Sequence, residues 1–482
     1  MNIRTILTSL AVSATSACAL AAPAGPGPID RAFPTTGSVR GLIIMAEFSD
    51  VKFLEKTTRD YIDTKVNSEN FVSEEAAGSV ADYFREQSKG LFTPVFDVVG
   101  PVTLPNTRAS YGLFDNMLGL YRDAASAADK EADVDFTKYD VDEDGYVDFI
   151  FVIFPGHSRS QGGPMEAIHP SMDDLTNKVF VKYDGLYLSR AACSSELKGG
   201  EGENWDGIGT ICHEFSHVLG LPDVYDSNYS GGYGMYHYDV MDYGSQNDDR
   251  RRPAGYTAMD RYTLGWLEPE ILTETTYDVE LKNLIDSNKA YFIVNPENEN
   301  EYYTLENRQK VGFDAGLPGH GLVISLVNYD KKLWSDNKVN VPTVAGYEHV
   351  MLIAADDDKP AKATPDQEAG DPFPGTKGVT SFGGSTTPAA VWKSTGTTPT
   401  FLINNIRETE DGVIKFDFIA DASGVNSVGD ETVNVSGGYG CVNAPEGARV
   451  YSIDGAEVGR EGLAAGIYVV CVNGRSVKVL VK

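Results

Sequence analysis

The chain has 482 residues, 41% of them hydrophobic and 10% aromatic, which is enough for roughly two to four packed domains and excludes a disordered chain. Its 70 acidic and 40 basic residues give a formal charge of −30, the reverse of what phosphate contacts need, so nucleic acid is excluded as a partner. The acidic excess instead favours solubility and bound cations, calcium among them.

Residues 1–21 read as a signal peptide. Arg4 supplies the positive start, Ile6 to Leu20 is mostly apolar, and Ala19-Leu20-Ala21 is a small-x-small cleavage site. Cys18 offers a lipoprotein alternative, although Thr15-Ser16-Ala17 lacks the expected Leu. Residues 22–37, rich in Pro, Gly and Ala, form a linker or short pro-segment. No later stretch is long and apolar enough to serve as a transmembrane segment. Export permits disulfides, and the remaining cysteines fall into two local pairs, Cys193 with Cys212 and Cys441 with Cys471, with connectivity left open.

Val39 to Phe48 is an apolar strand. Ser79 to Lys89 has helical spacing, Leu104-Pro105-Asn106 is a turn, and Asn116 to Ala132 is again helical. An acidic loop follows. Asp140, Asp142, Asp144 and Asp148 stand at positions 1, 3, 5 and 9 of an EF-hand-like loop, with Gly145 at 6 and the Tyr146 carbonyl available at 7. The Glu expected at position 12 is replaced by Phe151. Hard oxygens at this spacing suit a structural calcium ion; an Asp-rich surface turn is the plainer alternative. Phe149 to Phe154 is a buried strand, and Gly199 to Glu203 a glycine-rich loop. Asp206 can cap a helix running to about Leu219, with Ile208, Ile211, Cys212, Phe215, Val218 and Leu219 as its apolar stripe.

That helix carries His213-Glu214-Phe215-Ser216-His217, followed by Val218-Leu219-Gly220-Leu221-Pro222-Asp223. Two histidines four apart lie about 40° from one another around a helix, so both rings can reach one zinc ion. Gly220 lets the chain turn out of the helix and bring Asp223 back as a third ligand. Glu214, next to the first ligand, is the candidate general base. The remaining histidines, His237 foremost, are alternatives to Asp223.

The segment HEFSHVLGLPDVYD resembles the active-site segment of metallopeptidases related to immune inhibitor A. Leu42 to Asp50, the loop near Asp144, Leu305 to Lys310 and Gly316 to Gly321 are similar to that family too, so the resemblance runs from about residue 40 to 420. It implies a metzincin-like zinc endopeptidase that cuts proteins outside the cell. Tyr238 to Gly244 looks like the family's Met-containing turn, which makes Met241 the packed floor of the site and Tyr243 a candidate oxyanion stabiliser or a packing residue. One departure stands out. Where the family commonly shows Trp-His after the Pro-Gly-His-Gly element, this chain has Ile324-Ser325-Leu326.

Alternating strands and helices to about Trp266 suggest an α/β catalytic unit, 38–266. From Leu267 to 420 the texture is mainly β, with a hairpin at Asp411-Gly412. Residues 421–432 read as a linker. Residues 433–482 form a small β domain with a hairpin at Asn473-Gly474. Its Val450 to Gly455 and Gly466 to Val470 resemble the sorting domains of proteins exported by the type IX system, which implies cell-surface attachment or release. The whole is expected to be an α+β chain: a metzincin-like catalytic domain, a β-sandwich-like domain and a small β domain.

Overall fold

The computed structural model describes residues 33–358, 364–422, 435–445, 447–452, 456–472 and 475–482. The expected signal peptide, the first part of the 22–37 stretch and most of the 421–432 linker lie outside the described residues. The structure is mixed α/β, rich in sheet. The chain divides into one compact unit ending at Ala420 and a second from Asp421 to Lys482.

The first sheet is built from β1 (Arg40–Glu47), β2 (Val95–Thr103), β3 (Tyr146–His157), β4 (Met172–Asp174) and β5 (Tyr187–Leu197) in the order β2-β1-β3-β5-β4. All neighbours are parallel except the edge strand β4, which runs against β5. A parallel sheet is covered on both faces, so its central strands β1 and β3 carry apolar residues on both sides. In β1, Leu42, Ile44 and Ala46 enter one core while Ile43 and Met45 enter the other. In β3, Val147, Ile150, Val152 and Phe154 share the first of those cores, and Phe149, Phe151 and Ile153 the second.

Five helices belong to this layer: α1 (Arg59–Asn67), α2 (Val80–Gln87), α3 (Arg108–Gly112), α4 (Met117–Ala132) and α5 (Gly209–Val218). Helix α4, capped by Asn116, covers one face; α1, α2 and α5 cover the other. Helix α2 begins in a capping box between Ser79 and Asp82.

This two-faced arrangement overturns one expected disulfide. Cys193 on β5 points into the core beneath α4, and Cys212 on α5 into the opposite core, so the sheet separates them and both thiols are free. Cys441 also carries a free thiol, so the second expected pair, Cys441 with Cys471, is not formed either.

Strands β6 (Glu270–Ile271), β7 (Thr276–Leu281), β8 (Tyr291–Asn295), β9 (Asn298–Arg308), β10 (Gly321–Asn328), β11 (Val350–Leu352), β12 (Phe382–Gly383), β13 (Leu402–Glu408) and β14 (Ile414–Ile419) form two more sheets. Their orders are β11-β10-β9-β8-β6 and β12-β13-β14-β7. Alternation again decides the packing. Phe292, Val294, Tyr302, Val323 and Val327 join the core that holds α5, whereas Tyr291, Ile293, Tyr303, Leu305, Leu322 and Ile324 face the third sheet's Ile403, Ile414 and Phe416. The core beneath α5 thus continues without a break past residue 266.

The second unit has its own apolar centre of Val442, Val450, Val470, Val472, Val479 and Val481. Strands Gly466–Val472 and Arg475–Val481 pair antiparallel with Val472 opposite Arg475. Asn473 and Gly474 themselves lie outside the described residues.

Candidate metal centre

Helix α5 starts at Gly209 with Ile208 as the preceding cap residue, and Ile208 makes no side-chain cap. The expected Asp206 cap is corrected in detail: Asp206 reaches the first turn only by accepting from the Thr210 hydroxyl, and its carboxylate otherwise takes hydrogen bonds from Gln161 and Gly207. The helix is seated by aromatic rings. Phe215 packs against Phe33, Phe84, Phe92, Phe96 and Phe149, with centroids 5.0 to 6.3 Å away. Its last turn is closed by two donors to the Val218 carbonyl, the Phe33 amide at 3.2 Å and Arg190 Nη1 at 2.9 Å. Gly220, at φ +98°, then turns the chain out of the helix.

The turn brings three side chains together. His213 Nε2 lies 3.2 Å and His217 Nε2 3.3 Å from Asp223 Oδ1, and one ligand atom from each residue falls within 4.8 Å of the others. The second ring nitrogens are engaged elsewhere: His213 Nδ1 donates to the Val240 carbonyl and His217 Nδ1 to the Leu221 carbonyl, each at 2.8 Å. That fixes both rings in the tautomer whose Nε2 lone pair faces the common point.

Charge tells the same story. Burial works against a charged His213, but its 3.2 Å approach to Asp223 Oδ1 and the charges of Glu214 and Asp223 together outweigh it and push the ring up to about 9. Burial raises the Glu214 carboxyl. Asp223 is held low because the two imidazoles outweigh its own desolvation. A raised imidazole beside two buried carboxylates marks a point that favours positive charge, whether a proton on a ring nitrogen or a bound cation. Asp223 Oδ1, buried, accepts no hydrogen bond. An orphaned carboxylate oxygen facing two imidazole lone pairs fits a divalent zinc-type cation in a site of two N ligands and one O ligand.

The centre lines a cleft of ≈ 400 Å³. Glu214 lies in it beside the two histidines. His169 to Met172, leading into the edge strand β4, line it as well, as do Trp334, Ser335 and Asn337. Met241 is fully buried, and its carbonyl accepts from the Val224 amide, tying the turn to the segment that carries Asp223. Tyr243 does not line this cleft. It lines a neighbouring pocket of ≈ 130 Å³ and stacks on Tyr225 at 6.3 Å, and it is Tyr225 that faces both spaces. His237, the alternative ligand, is held 2.7 Å from Glu368 instead.

In the acidic loop, Asp140, Asp142 and Asp144 place one oxygen each within 4.8 Å of one another. Asp144 and Gly145 donate backbone N–H groups to Asp140, and Tyr146 N–H to Asp144. Gly145, at φ +91°, makes the bend. Asp148 lies apart from that trio, accepting from the Val141 amide, and burial together with the three neighbouring charges pushes it up to about 7.

Residues 42–266 match the family described as "Immune inhibitor A peptidase M6, catalytic domain". The match indicates a metallopeptidase, and it covers the larger, amino-terminal part of the 40–420 range expected from the sequence. Immune inhibitor A of Bacillus thuringiensis subsp. alesti is 29% identical over 197 residues, which is 34% of this chain. The chain spans 28% of that relative's length. Among the described residues no helix is long and apolar enough to cross a membrane.

Sequence reasoning missed Tyr225, Arg190, Trp334 and Asn337 as lining residues of the cleft, whereas His169, one of the alternative ligands, does line it. Tyr225 had a signal, two positions past Asp223 in the motif itself. Asn337 had none, because 114 residues separate it from the aspartate it touches.

Proposed function

We propose that this chain is a secreted zinc endopeptidase that cleaves extracellular proteins, with His213, His217 and Asp223 holding the metal. The observation that carries the reading is the orphaned Oδ1 of Asp223, buried and facing two Nε2 lone pairs. Zinc, when bound, supplies the Lewis acid that activates water and polarises a peptide carbonyl. Glu214 takes a proton from water onto its carboxylate and delivers it to the leaving amine nitrogen. Its burial, which raises its proton affinity, suits both halves of that task. The edge strand β4 borders the cleft with unpaired backbone groups on its outer side, where an extended peptide can add as a further strand.

Two phenols compete for the developing oxyanion. Tyr243 holds the place two residues beyond Met241, and Tyr225 lines the cleft directly. Calcium in the loop of Asp140, Asp142, Asp144, Tyr146 and Asp148 would brace the entry into β3, the central strand. The division into catalytic and β domains at 266/267, and surface attachment through residues 433–482, belong to the same reading.

The test uses the full-length protein and a fluorogenic peptide blocked at both ends. Zinc bound in one equivalent, internal cleavage abolished by chelation and restored by zinc, and a Glu214→Gln variant that keeps its metal but loses about 10²–10⁴-fold or more in kcat are the expected results. Normal turnover by the Gln variant would refute the assignment. Cleavage confined to unblocked peptides would make it an aminopeptidase.

A further inference from the structure

Asp223 has two carboxylate oxygens, and they have different surroundings. Oδ1 faces the two imidazoles without a hydrogen bond. Oδ2 accepts from Asn337 Nδ2 at 2.7 Å, and the same amide's Oδ1 accepts from the Asp223 backbone N–H at 2.6 Å. One side chain therefore grips residue 223 at two points, its backbone and its carboxylate.

Asn337 follows a short helix, Lys331–Ser335, and adopts φ +53°, a left-handed conformation that Asn tolerates better than most residues. Its segment is anchored. Trp334 is buried, with its ring edge-on to Tyr329 at 5.1 Å, and the Lys338 amide donates to the Leu333 carbonyl. The grip thus comes from a packed element of the same compact unit, beyond the region that matches the peptidase family.

A carboxylate on a loop can rotate and can offer a cation one oxygen or two. Two hydrogen bonds to one amide remove that freedom, and a neutral donor on Oδ2 leaves Oδ1 as the ligand without adding a competing charge. We propose that Asn337 is a positioning residue for the metal centre, holding Asp223 as a single-oxygen ligand. The proposal rests on the zinc reading of His213, His217 and Asp223.

The test is zinc affinity, measured on full-length protein by competition with a chromophoric chelator, in the parent, Asn337→Ala and Asn337→Asp. The Asp variant keeps the size of the side chain but cannot donate to Oδ2. Both variants are expected to bind zinc about 10–100-fold more weakly. Cobalt substituted for zinc should show altered visible bands in both, because the coordination geometry changes. Unchanged zinc affinity and cobalt bands in a folded variant would overturn the proposal. So would loss of fold in both variants, which would make Asn337 a structural tie. A parent protein that binds no zinc would sink the zinc reading itself, a result distinguishable from either.

Discussion

Arg308 is wholly buried and carries a full charge, so its replacement by Met makes a severe test of how the core under the metal site is held. Its guanidinium pairs twice with Asp314, Nε to Oδ2 at 2.8 Å and Nη2 to Oδ1 at 2.6 Å, and once with Glu306 at 3.0 Å. It also donates to the Tyr238 and Gly255 carbonyls at 3.0 and 3.1 Å. Removing it leaves two carboxylates buried without their cation. Each keeps one backbone donor, Gly255 N–H on Asp314 and Ala258 N–H on Glu306, so the loss stays below full desolvation. The expected cost is about 3–5 kcal/mol. Tyr238 opens the segment that ends in the Met241 turn, so zinc affinity should fall as well. Urea unfolding of the parent and of Arg308→Met measures the cost. A triple variant that also neutralises Asp314 and Glu306 as Asn and Gln should recover part of it. A loss too small to measure in Arg308→Met, or no recovery in the triple variant, would refute the reasoning that an uncompensated charge, rather than lost packing, sets the cost.

Three further predictions follow from separate observations. Burial pushes the Glu86 carboxyl up to about 7, where it accepts from the Phe313 amide. Because the folded value is raised, stability is fully present below the unfolded value and is lost as pH rises through the folded one. Glu86→Gln should therefore match the parent at about pH 4 and exceed it by about 1–3 kcal/mol at about pH 8, measured by urea midpoints. Tyr225→Phe should lower kcat by about 10-fold or more at unchanged KM and zinc content, while Tyr243→Phe should do so only if the second phenol is the donor; steady-state kinetics on one peptide decides between them. Calcium should raise the melting temperature of the parent and not of Asp142→Asn/Asp144→Asn, and an equal rise in both would remove the loop from consideration.

The parts of the fold that sequence reveals are those with an unbroken physical pattern. β1 and β3 show because both their faces are apolar, and α2, α4 and α5 because their stripes are periodic. Strand β5 hides because Ser189, Arg190, Ser194, Ser195 and Glu196 interrupt it. These polar side chains are buried, and Glu196 spends its carboxylate on the Leu54 and Gly156 amides. Burial of a polar group depends on partners distant in the chain, which no local window contains. The same limit divides the site. His213, His217 and Asp223 fall within eleven consecutive residues and are brought together by one helix and one turn. The wall formed by Trp334 and Asn337 exists only after β8 to β11 have folded.

Phe33 gives the amino-terminal arm an unexpected weight. Its ring is buried among Phe92, Phe149 and Phe215, and its amide closes the end of the helix that bears both histidines. A protease that trimmed the arm just beyond this residue would withdraw a wedge from beneath α5. Removal that stops short of Phe33 leaves α5 seated and removal past it does not, so the boundary between harmless and damaging trimming is set at one phenylalanine.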